Sequence, residues 1–362
     1  MKLGTAIAIV GAAMLWQGLP TDAAAQSLTE VTGFGTNPGQ LRAFKHIPQE
    51  LPPNSPLVVA LHGCLQSASG YDDETGWVKY ADMGKFALLL PQQELPNNLA
   101  KCFNWFELGD IQRDQGEALS IKHMIDKMVT DHNIDRKRIY ITGLSAGAGM
   151  TVVMLATYPE LFAGGATSAG LPYKCATNVT EARNSCMRSG KNQSPAQWGD
   201  LVRAASSHGS EWPRLSIWQG AADGTVNPMN ARELIEQWTN VHGIDQTPDG
   251  QDTVDGQVHR VFTDASGKVL VESFTVAGMD HGISINPGSD KPQCGTAAPF
   301  ILDKDICTSF HVAKFWGLLP SSPDPIPPSP ISREELLRRM DEMKGRIDQL
   351  TAELNELRAA IE

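Results

Sequence analysis

Gly143-Leu144-Ser145-Ala146-Gly147 places one serine in a G-x-S-x-G pattern, directly after the strand-forming run RIYIT and directly before a run from Gly147 to Tyr158 that reads as a helix. A hydroxyl is a weak nucleophile near neutral pH, so a serine that attacks carbonyl carbon needs a base to take its proton and an acid to orient that base. A sharp strand-to-helix turn lifts the hydroxyl clear of the sheet, and strand and helix then approach so closely that only small side chains fit beside it. Gly143, Ala146 and Gly147 meet that steric condition. The plainer reading is a glycine-rich turn with an incidental serine.

On turns of this kind the acid and the base follow in the order Ser, Asp, His. RLSIWQG ends at Gly220 and runs into Ala221-Ala222-Asp223-Gly224-Thr225, which sets Asp223 on a loop beyond a strand's carboxyl end; Asp200, Asp245 and Asp249 lack that placement. VESFTVAG leads in the same way to Met279-Asp280-His281-Gly282, so His281 is the candidate base. His242, near a helix end, and His259, within an alternating strand pattern, read as surface or core residues. Acyl transfer also needs two donors aimed at the developing oxyanion. The backbone N–H of Ala146 follows the serine, and that of Cys64 lies in Leu61-His62-Gly63-Cys64-Leu65-Gln66, at the end of an early strand. Without such a role, HGC merely ends that strand, and Asp223 and His281 are ordinary loop polarity.

The elements that must position these groups alternate. LVVALHG, FALLLP, RIYITG, RLSIWQG and VESFTVAG read as strands, several apolar throughout, as strands buried on both faces of a parallel sheet should be. Residues 114–133, 147–158 and 230–242 read as helices between them, and no internal repeat is visible. The fold class is therefore α/β with a wound, mostly parallel sheet.

The 362 residues suffice for one large domain, with an apolar fraction of 41%. Residues 1–25 carry one early lysine, an apolar run and a small-residue ending, the pattern of a secretory signal peptide cleaved before Gln26. That run is too short to span a bilayer, and no later one is long enough, so no membrane span is expected. Six cysteines in an exported chain point to disulfides. Their pairing is open in sequence; proximity favours Cys175 with Cys186 and Cys294 with Cys307, which leaves Cys64 with Cys102. No His/Cys cluster has zinc-ligand spacing, so no metal and no cofactor is expected. The net charge of -11 argues against nucleic acid and favours a neutral substrate.

After residue 319 the composition shifts. The catalytic domain is expected over 26–319, a Pro-rich linker over 320–331 and a helix over 332–362, where Leu336, Met340, Met343, Ile347, Leu350, Leu354, Leu357 and Ile361 alternate steps of four and three. That seam is a coiled coil, and a lone helix of its length is marginal in water, so a homo-oligomer through it is expected; docking on the main domain is the alternative.

Taken together, LHGCLQSASGYDDETGW, LLLPQQ with CFNWF, GLSAGAGM and the aspartate and histidine turns resemble the poly(3-hydroxybutyrate) depolymerase family of secreted esterases over about residues 39–318. The resemblance implies an α/β-hydrolase fold, an extracellular or periplasmic location and serine-dependent hydrolysis of short-chain polyhydroxyalkanoate or its oligomers. It also implies that Trp105, with Asn104 beside it, lines the substrate cleft, a core tryptophan being the alternative. Members acting on solid polymer carry a compact β-rich binding domain after the linker, where this chain has a heptad helix. That leaves open amorphous polymer, soluble oligomers or another ester. Feruloyl and acetylxylan esterases share fold and triad and are the nearest alternative; a binding protein on an inactive hydrolase fold is the non-enzymatic one.

Overall fold

Apolar runs become the centre of one sheet. In chain order its strands are β1 (Thr29–Glu30), β2 (Arg42–His46), β3 (Leu57–Leu61), β4 (Ala87–Gln92), β5 (Ile139–Leu144), β6 (Gly164–Ser168), β7 (Arg214–Gly220), β8 (Gly250–Val254), β9 (Gln257–Thr263) and β10 (Val269–Val276). The computed structural model describes residues 28–209, 211–319 and Lys344. The chain divides into two compact units, Met1–Leu318 and Leu319–Glu362. The expected leader, and the linker and heptad segment apart from Lys344, lie outside the described residues.

The strands lie side by side as β1-β2-β4-β3-β5-β6-β7-β10-β9-β8. From β4 through β3, β5, β6 and β7 to β10 every pairing is parallel. Antiparallel strands flank this centre, β1 and β2 on one side, β9 and β8 on the other. Parallel neighbours need a crossover between them, and a crossover returns the chain to the same end of the sheet. The carboxyl ends of the inner strands therefore share one edge, where an open α/β sheet puts its ligands.

The helices are α1 (Trp77–Gly84), α2 (Gly116–His132), α3 (Ala146–Thr157), α4 (Val179–Glu181), α5 (Pro195–Arg203), α6 (Met229–His242) and α7 (Thr308–Phe315); two further strands, β11 (Ile283–Ile285) and β12 (Ile301–Asp303), pair in parallel. Every residue of β3, β4, β5 and β6 is buried, as expected where helices cover both faces. All of α3 is buried too, because its sequence AGAGMTVVMLAT is small or apolar all round. α5 starts where Ser194 and Gln197 cap each other's backbone N–H groups and Pro195 supplies a helical φ. Among the described residues no helix is long and apolar enough to cross a membrane.

Asp72, just ahead of α1, is buried, and desolvation pushes its carboxyl up to about 6. A carboxyl raised in the fold keeps its stabilising contribution below the unfolded value near 4 and loses it as pH rises to about 6. Asp72→Asn should therefore raise stability at pH 8 by about 2 kcal/mol, screening at its mouth included, and leave it unchanged near pH 4. Thermal melts at the two pH values check this.

Candidate active site

Ser145 sits between β5 and α3 with φ 55 and ψ -116, a backbone that L-residues rarely adopt. Its N–H donates to Ser168 O at 2.9 Å and its carbonyl accepts from Gly149 N–H at 2.9 Å, which holds the turn despite the strain. The small neighbours are a steric requirement. A Cβ on Gly147 would stand 2.3 Å from Leu61 O, and one on Gly143 would stand 2.4 Å from the carbonyl of Gly147. The elbow thus packs directly on the end of β3, the strand that leads to Cys64.

β7 and β10 are parallel neighbours in register from Leu215 with Val271 to Gly220 with Val276, so the loops after them leave the same edge side by side. They are stapled together: Ala221 N–H donates to Val276 O and Ala222 N–H to Met279 O, both at 2.9 Å, and Asp280 Oδ1 accepts from Gly224 N–H at 3.2 Å and His281 N–H at 2.7 Å. A Cβ on Gly220 would lie 2.4 Å from Met279 O, so glycine lets the loops close. Asp223 Oδ2 accepts from His281 Nδ1 at 2.9 Å, and His281 Nε2 stands 2.9 Å from Ser145 Oγ. The aspartate's carboxyl is fully buried, and its other donors are Gln219 Nε2 at 3.1 Å and the N–H groups of Thr225 at 2.9 Å and Val226 at 2.8 Å. Four donors around one carboxylate hold it turned to the imidazole. Phe300 sets its ring edge-on to the imidazole at 5.9 Å.

Cys64 faces the same spot. Gly63 N–H is taken by Gln66 Oε1 at 2.8 Å and Leu65 N–H by Ala100 O at 2.8 Å, while that of Cys64 has no acceptor among the described residues. Ala146 opens α3, where a first-turn N–H has no partner within the helix. Both N–H groups belong to residues next to Ser145 or lining its cavity. Behind them, burial lowers the pKa of His62 to about 4, so its ring is neutral. Gln93 N–H donates to His62 Nε2 at 3.1 Å, which leaves the proton on Nδ1 to donate to Gly63 O at 2.7 Å. The disulfides pair Cys64 with Cys102, Cys175 with Cys186 and Cys294 with Cys307. The first closes a span of 38 residues and fastens the Cys64 turn. Replacing both its cysteines with alanine should cost about 4 kcal/mol by chain entropy. Because the turn then drifts, kcat on a short p-nitrophenyl ester should fall about ten-fold, against about a hundred-fold for a donor lost outright. Melting temperature and steady-state kinetics read the two effects.

Ser145 opens into a cavity of about 260 Å3 walled by Gly63, Cys64, Leu65, Leu144, Met187, Thr225, His281 and Phe300. Trp105 and Asn104 are not among these residues. Trp105 is 4% exposed and lies under α3, where a Cβ on Gly149 would come within 2.7 Å of its ring. Asn104 is drawn inward as its N–H donates to the buried Glu117 Oε2 at 2.8 Å. The aromatic nearest the imidazole is instead Phe300, which nothing in its surroundings, Ala298-Pro299-Phe300, marks in sequence. Among the described residues no group of side chains could hold a metal ion.

A family model described as Esterase PHB depolymerase matches residues 47–255. Poly(3-hydroxyalkanoate) depolymerase C of Paucimonas lemoignei is 53% identical over 294 residues, 81% of this chain and 70% of that one. The chain belongs to the esterase PHB depolymerase family. Members of this family are carboxylic ester hydrolases, and so is this protein. An acetylxylan esterase of Coprinopsis cinerea is 33% identical over 72% of this chain and 70% of its own length. The solved structure of an acetyl xylan esterase from Aspergillus awamori superposes with a TM-score of 0.68, covering 81% of this chain and 99% of that one at 23% identity, so the two share a fold.

Proposed function

We propose that this esterase is an α/β-hydrolase in which Ser145 is the nucleophile, His281 the general base and Asp223 its orienting acid, and that it hydrolyses short-chain polyhydroxyalkanoate or its oligomers. One observation carries the mechanism: Asp223, His281 and Ser145 form a chain with both links at 2.9 Å. Ser145 Oγ attacks the ester carbonyl as His281 Nε2 takes its proton. The oxyanion forms against the N–H groups of Cys64 and Ala146. His281 then protonates the leaving alcohol, and a water it deprotonates frees the acyl group. Asp223 keeps the Nδ1–H tautomer throughout. No cofactor takes part in these steps.

The substrate rests on likeness to the Paucimonas depolymerase and on the largely apolar walls around Ser145, against which an aliphatic ester would lie. A carbohydrate ester is the second reading, favoured by the acetylxylan esterases among the relatives. Product analysis after incubation with amorphous polyhydroxybutyrate, its soluble oligomers and a feruloylated sugar separates them: hydroxyacid release supports the first, ferulate release without it the second. Export fits three disulfides, which persist in oxidising compartments. Self-association through residues 332–362 belongs to the same proposal; molar mass in solution with and without residues 331–362 tests it, an unchanged monomer removing the idea.

A further inference from the structure

Beside the cavity at Ser145 lies another, of about 450 Å3, and the two share Met187 and Thr225 as a common wall. Arg183, Asn184, Arg188 and Gly224 complete its lining. In a chain of net charge -11 two arginines at the catalytic mouth are a local exception. Among the described residues neither side chain has a hydrogen-bond or ion-pair partner. The carboxylates at hand are engaged elsewhere: Glu181 accepts from Thr177 N–H and Oγ1, and Asp280 from Gly224 and His281 N–H.

Both side chains are exposed, and the backbone that carries them is tied down. Arg183 and Arg188 stand on the wide helical turn Ala182–Arg188, which the Cys175–Cys186 disulfide ties down. Asn227 N–H donates to Met187 O at 2.7 Å, Asn227 Nδ2 to Arg188 O at 3.0 Å and Asn230 Nδ2 to Cys186 O at 3.0 Å. The turn is thereby bonded to the segment that begins with Asp223. Guanidinium groups match carboxylates in a two-pronged fit, and a pair of them without partners leaves that capacity open. An ester bound at Ser145 and reaching over Met187 and Thr225 would present to the arginines whatever group lies a few bonds beyond. In an oligomer of a hydroxyacid, the last unit is a leaving alcohol that carries a free carboxylate a few bonds from the scissile oxygen.

We propose that Arg183 and Arg188 form a carboxylate subsite that selects esters whose leaving alcohol bears a free carboxylate, so that terminal hydroxyacid units are released from the carboxyl end of oligomers. The proposal rests on the esterase reading above. As the bond from Ser145 Oγ to the acyl carbon forms, the bond to the leaving oxygen breaks and the serine proton passes through His281 to that oxygen. The terminal carboxylate stays ionised on the arginines, and water later releases the shortened chain.

The test uses the full chain with a 3-hydroxybutyrate trimer as the free acid and as its methyl ester. Wild type should show a kcat/KM about ten-fold higher for the acid, and R183A/R188A should bring the ratio close to one. The ratio is read within each protein, so a general loss of activity cancels; Arg188→Gln alone should lower it about three-fold and serves if the double variant does not fold. Inhibition of methyl-ester turnover by free 3-hydroxybutyrate, weakened in the variant, would show the subsite also holding the released acid. A wild-type ratio of one or below, or a ratio unchanged in the variants, overturns the subsite while leaving the esterase reading intact. If neither trimer is cut although a p-nitrophenyl ester is, the polyester reading falls and the subsite with it.

Discussion

Ser145→Ala should lower kcat on a short p-nitrophenyl ester by about a million-fold, roughly 8 kcal/mol of transition-state stabilisation, and leave the melting temperature within a degree or two. The loss is large because His281 and Asp223 act through this hydroxyl. His281 Nε2 has the serine oxygen at 2.9 Å as its hydrogen-bond partner and has nothing to activate for covalent attack once that oxygen is gone. The fold should be indifferent, since the backbone bonds of residue 145 to Ser168 and Gly149 involve no side-chain atom and alanine meets the same positive φ at the same strain. Circular dichroism and melting curves, run beside initial rates, separate lost chemistry from lost structure.

Asp223→Asn should reduce kcat by about ten-thousand-fold with KM little changed. The direction follows from what surrounds the carboxyl. Oδ1 accepts from the N–H groups of Thr225 and Val226, which can only donate, so an amide at this position must turn its oxygen to them. Its NH2 would then face Gln219 Nε2 and His281 Nδ1. A donor opposite Nδ1 demands that Nδ1 be the unprotonated nitrogen, which places the imidazole proton on Nε2, pointing at Ser145 Oγ. The ring is then a donor where the reaction needs an acceptor. Asp223→Glu, by contrast, keeps an acceptor there and should recover part of the rate, a result that a purely structural role for the carboxylate would not give.

What was legible in the sequence follows one rule. Ser145, Asp223 and His281 each stand just beyond a run apolar enough to be recognised as a strand, and because β5, β7 and β10 are parallel the structure brings all three to one edge. The same rule hid β6: GGATS has no apolar run, yet every one of its residues is buried. Its small side chains are what its neighbours allow, since Leu155 would meet a Cβ on Gly165 at 2.4 Å and Trp316 one on Gly164 at 3.1 Å. Gln219, which donates to Asp223, is hidden inside a strand. Arg183 and Arg188 stand on a turn without helical or strand periodicity, and only the disulfide and Asn227 bring it to the cavity. Trp105, by contrast, stands out in CFNWF, but the neighbouring Asn104 N–H bond to Glu117 and the packing of its ring under α3 make it part of the scaffold.

Labelling with a fluorophosphonate that traps activated serines, followed by peptide mass spectrometry, tests most directly that one hydroxyl is activated by this constellation. A single adduct on the peptide containing Ser145, formed in step with loss of esterase activity and absent from Ser145→Ala, is the result expected here. An adduct on another serine, or full inhibition with residue 145 unmodified, would contradict it.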